Sequence, residues 1–251
     1  MISSVLDFLE SFYIRYGSFI PLSESDVLEH LKKKGNSDLS SRSVREMTRY
    51  RAGLASAPIA GFMVTYNKHT LSLEDLGTLE EQNWLNDQII NMYGELIMEA
   101  TEHKVHFFNS FFHKQLVAKG YDGVKRWTKK VDLFSKWLLL IPIHLEIHWS
   151  LVTVTMATKT ISYFDSQGIH NSVCYQNIMK YLQSEAREKK QTAFQKGWKL
   201  VDYFAPLSVC LCACQYCRRL SVKQPLQFSQ EDMPRIRKRI YKELCDRRLN
   251  D

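Results

Sequence analysis

One stretch of the sequence, residues 138–165, constrains the fold more than any other. It reads LLLIPIHLEIHWSLVTVTMATKTISYFD and holds two apolar, β-branched runs, 147–155 and 160–164, on either side of a short polar turn. Two such runs joined by a few turn residues predict an antiparallel hairpin. A turn centred near residue 157 places His148, at the start of the first strand, within a residue or two of Asp165, at the end of the second.

This pairing has a chemical consequence for His148 and Asp165. Antiparallel neighbours stand about 4.5 to 5.5 Å apart at Cβ, so the imidazole and the carboxylate are within hydrogen-bonding reach. A carboxylate that holds one ring nitrogen fixes the tautomer and leaves the other nitrogen to accept a proton. The pattern therefore predicts two members of a catalytic triad. An ordinary hydrogen-bonded pair is the alternative, which the spacing alone leaves open.

The residues around this pair resemble a known family. Ile-His-Trp-Ser-Leu at 147–151, followed by Tyr-Phe-Asp-Ser-Gln at 163–167, is similar to the His and Asp segments of the sentrin/SUMO-specific cysteine proteases, in the ubiquitin-like protease family. GVKRWTKKVD at 123–132 looks closest to the members numbered three and five. The resemblance implies an α+β fold of papain-like cysteine protease architecture, with a central mixed or antiparallel sheet flanked by helices. It also implies cleavage after the di-glycine of SUMO, with His148 as general base and then acid, and Asp165 orienting it.

A second segment, Trp-Leu-Asn-Asp at 84–87, resembles the family residues at the start of a helix, where the Trp helps to clamp the di-glycine tail. By the same resemblance Trp149 lines the other side of that channel. Two indoles that wall a narrow gap admit only residues without side chains. Taken alone, Trp84 is better explained as a core residue, and it is the second indole, Trp149, that favours the channel.

The segment that should supply the nucleophile departs from the family pattern. Gln215, Tyr216 and Cys217 match, but the approach to them, LVDYFAPLSVCLCAC, is shorter and lacks the Gln that donates to the oxyanion. Counting back without a gap puts Val209 at the nucleophile position, and one residue of slip makes Cys210 the candidate nucleophile.

Three interpretations of residues 199–214 remain open. Cys210 acts with a backbone N–H as oxyanion donor, in which case the lost donor lowers the rate by roughly 10² to 10³. Alternatively, the chain is a catalytically dead SUMO-binding pseudoenzyme. The third interpretation is that the segment is a gene-model artefact of an active protease.

Six cysteines occur in the chain, and four of them lie at positions 210, 212, 214 and 217. Because the chain is long and carries no secretory signal, we expect free thiols rather than a disulfide framework. Four thiolates can hold zinc, but zinc pairs are usually separated by a longer loop. Cysteine also behaves as a small buried hydrophobe. We therefore expect no metal and no cofactor.

Charge and hydropathy limit the partners. The formal charge of +7 favours an acidic partner. Much of the excess lies near the C-terminus, where Ile236, Ile240 and Leu244 recur at helical spacing and predict an amphipathic helix with a solvated basic face. No aromatic stacking pattern accompanies the charge, so nucleic acid is not expected as a specific ligand. No apolar run approaches the roughly 18 residues of a membrane span, so no membrane association is expected.

We predict two regions, a helical region at 1–60 packed on a catalytic domain at 61–251, in which residues 199–214 are atypical. The expected partners are SUMO and SUMO-conjugated proteins, and the expected state is a monomer. Asp7 and Glu10 interrupt the N-terminal apolar stretch, where a secretory signal would carry no charge. Family resemblance implies a location in the nucleus, specifically in the nucleolus.

Three local predictions bear on the fold. Ser23 and Asp26 have the spacing of a capping box at the start of a helix over 22–34. Thr78 is expected to start a helical turn that precedes the helix carrying residues 85–96. The histidines at 103, 106 and 113 are expected to be solvated or at helix ends rather than metal ligands.

Overall fold

The computed structural model describes residues 2–34, 41–145, 148–167, 171–204, 218–220, 223–224 and 229–250. These residues form two compact units, Met1–Ile89 with Glu231–Asp251, and Ile90–Gln230. This division of the chain differs from the domain boundary predicted at residue 60, which stays a prediction.

The first unit consists of helices and one small hairpin. Its elements are α1 (Ile2–Tyr16), α2 (Glu24–Lys33), α3 (Ser41–Ala55), β1 (Met63–Tyr66), β2 (His69–Ser72), α4 (Leu73–Gly77) and, near the C-terminus, a helix over Met233–Asp246. Strands β1 and β2 are antiparallel. Helix α1 buries Val5, Leu9, Phe12 and Tyr16, whose spacing of four, three and four residues places them on one face.

Capping boxes start two of these helices. The Ser23 hydroxyl accepts from the N–H of Asp26, whose carboxylate accepts from the Ser23 N–H, as predicted. Ser72 and Asp75 form the same arrangement at the start of α4. The prediction that Thr78 starts a helical turn is wrong, because Thr78 is the residue that ends α4.

The second unit is built on one sheet. Its elements are α5 (Asp87–Ala100, beginning in the first unit), β3 (Val105–Phe107), α6 (Phe112–Val124), β4 (Leu138–Leu145), β5 (His148–Thr155), β6 (Thr160–Asp165), α7 (Ser172–Glu188) and β7 (Lys199–Phe204). The C-terminal helix of the first unit, Met233–Asp246, is labelled α8 because it comes last in the chain.

Among the described residues, five strands form this sheet in the order β3-β4-β5-β6-β7. Strand β5 is antiparallel to both of its neighbours, β4 and β6, whereas β3 and β7 pair in parallel with β4 and β6 at the two edges. The sheet is therefore mixed and accompanied by helices, which confirms the predicted α+β class. The predicted hairpin is also confirmed, since Thr155 pairs with Thr160 next to the turn.

The core of the second unit lies between the sheet and helices α6 and α7. Its members are buried residues of the central strands, of both helices and of the segments that join them: Phe108, Phe112, Leu116, Val124, Leu133, Phe134, Leu139, Ile141, Ile143, Val152, Val154, Met156, Ile161, Tyr163, Cys174, Tyr175, Ile178, Tyr181, Leu182 and Ala186. The strands that carry His148 and Asp165 are thus fixed by apolar burial along most of their length.

Helix α5 approaches strand β3 closely at Gly94. A Cβ atom built on Gly94 would lie 2.1 Å from the ring of Phe107, far inside van der Waals contact. Glycine is therefore required at this point of the helix by the closeness of the packing, in spite of its poor helix propensity.

The prediction of a solvated basic face needs correction, and the prediction about the histidines holds in part. Arg237 in α8 is buried, so the basic face is not solvated at this position. His113 is the second residue of α6 and so lies at a helix end, as predicted, but it is buried, and its Nε2 lies 3.5 Å from the Sγ atom of Cys174. His106 is half-buried, and burial lowers its pKa to about 4. Of the three histidines, only His103 is exposed, as expected.

No helix in the described ranges has the length and apolarity that crossing a membrane requires.

Candidate active site

His148 and Asp165 meet at one end of the hairpin. His148 is the first residue of β5, Asp165 is the last residue of β6, and the pairing of Leu151 with Phe164 aligns the two strand ends. The Nε2 atom of His148 lies 3.0 Å from Oδ2 of Asp165. Both side chains are largely buried, with 12% and 4% of their areas exposed. The contact predicted from the hairpin is therefore present in the structure.

The contact determines which imidazole nitrogen is suited to proton transfer. Because Asp165 is ionised, Nε2 of His148 carries the proton of this hydrogen bond. In the neutral ring Nδ1 is then the acceptor, on the side of the imidazole away from the carboxylate. A buried carboxylate in this position also stabilises the imidazolium that forms when Nδ1 takes up a proton.

Three further donors hold the carboxylate of Asp165. The Ser150 hydroxyl donates to Oδ2 at 2.9 Å, and the hydroxyl of Tyr163 lies 3.1 Å from the same oxygen. The N–H of Gln167 donates to Oδ1 at 2.7 Å. Both oxygens of Asp165 are thus engaged, so the carboxylate cannot rotate away from His148 without losing hydrogen bonds.

These contacts determine the charge of Asp165. Burial by itself would raise the pKa of the carboxyl, but the hydrogen bonds from Gln167 and Ser150 and the nearby His148 outweigh it and lower the pKa. Burial raises the pKa of Tyr163, so its phenol stays protonated and available as a donor. Asp165 is therefore an anion at neutral pH.

Sequence reasoning missed Ser150 and Tyr163. A signal existed, because each lies two residues from a predicted site residue and therefore on the same face of its strand. Two polar residues at these positions on otherwise apolar strands, next to a His and an Asp, indicate a shared hydrogen-bonding cluster.

The two tryptophans predicted to line a glycine channel differ in exposure. Trp149 is 1% exposed, and its ring stacks on that of His144 with centroids 4.0 Å apart and an interplanar angle of 5°. Trp84 is 58% exposed. They belong to different compact units, and the channel stays a prediction. His144, which pairs with Trp149 across β4 and β5, was not anticipated.

Asn86, two residues after Trp84, fixes the start of α5. Its Oδ1 accepts from the N–H of Ile89 at 3.1 Å, and its Nδ2 donates to Asp75 at 2.7 Å. An Asn side-chain oxygen that accepts from the backbone N–H three residues later is the usual N-cap geometry. The chain direction just after Trp84 is therefore set by Asn86.

The candidate nucleophile Cys210 lies outside the described residues, as do Val209 and the cysteines at 212, 214 and 217. The described part of the chain contains Cys174 and Cys245, and burial raises the pKa of each thiol to about 12. A thiol that stays protonated at neutral pH is a poor nucleophile. Neither is suited to act with His148, so the nucleophile assignment rests on the sequence.

Within the described ranges, no group of three or more His, Cys, Asp or Glu side chains has a metal-binding arrangement. The alternative that cysteines 210–217 hold zinc falls outside these ranges.

Comparison with known proteins identifies related sequences for most of the chain. Residues 83–249 match the family described as Ulp1 protease family, C-terminal catalytic domain. Residues 2–72 match the family described as Sentrin-specific protease 3/5 N-terminal. Together the two matches confirm the resemblance found in the sequence.

The most similar relatives include sentrin-specific protease 5 of Mus musculus and Homo sapiens, each 58% identical over 253 residues, or 97% of this chain and 33% of the relative. Sentrin-specific protease 3 of Mus musculus is 47% identical over 262 residues, or 99% of this chain and 46% of the relative. This chain therefore spans about a third to a half of the length of the relatives it matches.

Solved structures agree with the fold. The C-terminal Ulp1 protease domain in complex with SMT3, the yeast ortholog of SUMO, superposes with a TM-score of 0.67 at 25% identity, covering 83% of this chain and 96% of that chain. Ulp1 with its catalytic cysteine oxidised to a sulfinic acid gives a TM-score of 0.66 at 27% identity, covering 75% and 90%.

Proposed function

Because the chain belongs to the Ulp1 protease family, we propose that it is a SUMO-specific cysteine peptidase domain that cleaves after the di-glycine of SUMO. The observation that carries the proposal is the contact of 3.0 Å between Nε2 of His148 and Oδ2 of Asp165. It supplies an oriented base beside a buried, ionised carboxylate, which is what activation of a thiol requires.

In the proposed reaction Nδ1 of His148 takes the proton of the Cys210 thiol, and the thiolate attacks the carbonyl carbon of the terminal glycine of SUMO. The tetrahedral intermediate collapses when the imidazolium of His148 protonates the departing amine. That amine is the lysine side chain of a conjugate or the α-amine of a precursor's tail. His148 then deprotonates a water, which attacks the thioester, restores the thiol and releases the SUMO carboxylate.

Two features support SUMO as the partner. A yeast relative of similar fold was solved in complex with SMT3, the SUMO ortholog. Trp84 also exposes more than half of its surface, which is unusual for an indole and favours a binding role over a core role. In the proposed arrangement Trp84 and Trp149 line the channel for the di-glycine tail, and processing and deconjugation both use it.

The second candidate function is SUMO binding without catalysis. It is favoured by the departure of residues 199–214 from the family pattern, where Val209 stands at the gapless nucleophile position and no oxyanion Gln is present. An artefact in this segment would instead hide an ordinary protease. Sequencing the transcript across these residues decides that question, because recovery of a Gln and of the Asp-Cys-Gly that family members carry around the nucleophile would restore an ordinary protease.

The remaining proposals rest on the family. We propose that a helical region at 1–60 packs on a catalytic domain at 61–251 and that the protein is a monomer. We also propose that it acts in the nucleus, specifically in the nucleolus. The net charge of +7 is the sequence property that favours a location rich in polyanions.

The test uses SUMO with an electrophile at its C-terminus, mixed with the 251-residue chain. We expect a covalent adduct at Cys210, located by mass spectrometry, that Cys210→Ala abolishes and His148→Ala slows. Cys217→Ala is the matched control and should leave labelling intact. Binding of the probe without an adduct would support the pseudoenzyme, and the absence of binding would contradict both functions.

A further inference from the structure

Arg237 in α8 is a buried cation that binds backbone carbonyls. Its side chain is 5% exposed. Nη1 donates to the carbonyl oxygens of Thr78 at 3.1 Å and Glu80 at 2.5 Å, and Nη2 donates to that of Asn83 at 2.8 Å. One guanidinium thus connects three carbonyls of the segment 78–83, about 155 residues earlier in the chain.

The geometry requires an arginine. The guanidinium is planar and rigid, and its donors point in fixed directions, so it can bridge three separate oxygens in one arrangement. A lysine ammonium is a single point on a flexible stem and would satisfy fewer of them. A buried charge without partners is costly, so Arg237 keeps its hydrogen bonds to these carbonyls. The same bonds hold segment 78–83 against α8.

The segment held by Arg237 ends immediately before Trp84. Because Trp84 is 58% exposed, burial does not by itself determine where its indole points. The backbone on the N-terminal side is held by Arg237 at Asn83, and on the C-terminal side by the Asn86 cap of α5. These two anchors of the backbone therefore determine the direction in which the exposed indole of Trp84 points.

We propose that Arg237 is a positioning residue for substrate recognition, which fixes Trp84 in the orientation that contacts the glycine tail of SUMO. The inference rests on the proposed role of Trp84 in the function above. It assigns to the C-terminal helix a part in tail binding, although Arg237 itself does not touch the substrate.

Binding tests this independently of the nucleophile. The 251-residue chain is titrated with SUMO ending in di-glycine and with SUMO truncated before it. We expect Arg237→Gln to weaken binding of the first by roughly five- to tenfold, because the indole of Trp84 is then no longer pre-organised for the tail, and to leave the second unchanged. In a Trp84→Ala background Arg237→Gln should have no further effect, because the residue it positions is gone.

The matched control is Arg235→Gln on the same helix, since Arg235 has a side chain that is 82% exposed and pairs with Asp232. Arg235→Gln should change neither the affinity for SUMO ending in di-glycine nor the affinity for truncated SUMO. Arg237→Lys, which keeps the buried charge, should give an intermediate loss and takes the place of Arg237→Gln should the latter not fold.

A spectroscopic readout completes the test. Among the five tryptophan indole N–H signals, the one lost in Trp84→Phe is that of Trp84, and it should shift or broaden in the Arg237 variants while that of Trp198 does not. An unmoved Trp84 signal, or equal weakening of both SUMO forms, would overturn the inference. If the wild-type chain binds neither form, the proposed function itself fails, whereas binding weakened by Trp84→Ala but not by the Arg237 variants refutes only the role of Arg237.

Discussion

Ser150 donates a hydrogen bond of 2.9 Å to Oδ2 of Asp165, the same oxygen that His148 contacts. Ser150 is completely buried, and the Tyr163 hydroxyl lies 3.0 Å from its Oγ. The hydroxyl groups of Ser150 and Tyr163 thus form a short series that ends at the carboxylate, with the single phenol proton of Tyr163 shared between Oγ of Ser150 and Oδ2 of Asp165. Such a series holds an anion in place better than water would, because its dipoles are already oriented.

Replacing Ser150 by alanine removes one of these donors. We expect the pKa of Asp165 to rise, since hydrogen bonds to the charged form favour it. The carboxyl resonance of Asp165, followed by NMR as pH is lowered, measures the change directly. Ser162→Ala is the matched control, because Ser162 is a buried serine of the adjacent strand. Equal titration of Asp165 in the wild type and in Ser150→Ala would contradict this role.

Asp165→Asn should impair chemistry far more than binding. An amide in this position no longer fixes the tautomer in which Nδ1 accepts a proton, and the analogous change in serine proteases lowers kcat about 10⁴-fold. We expect a loss of similar size in the rate of labelling by the electrophilic SUMO probe, with SUMO affinity nearly unchanged. Less than a tenfold slowing would show that His148 does not depend on this carboxylate.

The lowered pKa of Asp165 also makes the stability of the fold depend on pH. An aspartate in the unfolded chain has a pKa of about 3.9, and the pKa of Asp165 in the folded protein is lower. As pH falls, the unfolded chain therefore binds the proton first. The stabilisation of the fold by the Asp165 carboxylate is complete above the pKa of the unfolded state and is lost as pH falls through the pKa of the folded state.

Urea unfolding of the wild type and of Asp165→Asn should therefore give a difference in unfolding free energy that is largest near neutrality and shrinks below about pH 4. Asp122→Asn serves as the control, because its carboxylate is 84% exposed and pairs only at the surface with Lys125. A difference independent of pH would mean that Asp165 contributes through packing rather than charge.

Gly94→Ala should be strongly destabilising. The added methyl would meet the ring of Phe107 at 2.1 Å, and forcing an extra carbon into a packed core costs about 1–3 kcal/mol, occasionally more. Gly53→Ala is the opposite case, since no atom lies within 4 Å of a Cβ built there, and we expect a gain of about 0.5–1 kcal/mol from helix propensity. Both free energies come from urea unfolding, and similar values for the two variants would contradict the close approach of α5 to β3.

What the sequence predicted correctly depends on short-range patterns. His148 and Asp165 are 17 residues apart, and strand alternation with one short turn is enough to bring them together. The capping box of Ser23 and Asp26 is local in the same way. The Ser72 and Asp75 box was equally readable, but Thr78 with its acidic neighbours competed for the same helix start.

The errors concern contacts that no local pattern displays. Arg237 follows the apolar Ile236 in an amphipathic helix, and its partners are main-chain oxygens, which have no sequence signature. His113 lies at a helix end as predicted, but its burial depends on a contact with Cys174, 61 residues away. The need for glycine at position 94 arises from a ring on a strand that follows its helix, which no local pattern indicates. In each case tertiary packing overrides the expectation from residue type.

The short interval between base and carboxylate has a consequence for how such a chain changes over evolutionary time. Closing a loop of this length costs little chain entropy, and the cost grows only slowly with length. Both residues and their hydroxyl donors belong to a single hairpin, so changes in residues 210–217 leave all four of these side chains in the sequence. A lineage can therefore rewrite that segment while its imidazole and carboxylate persist intact, ready to serve a restored thiol.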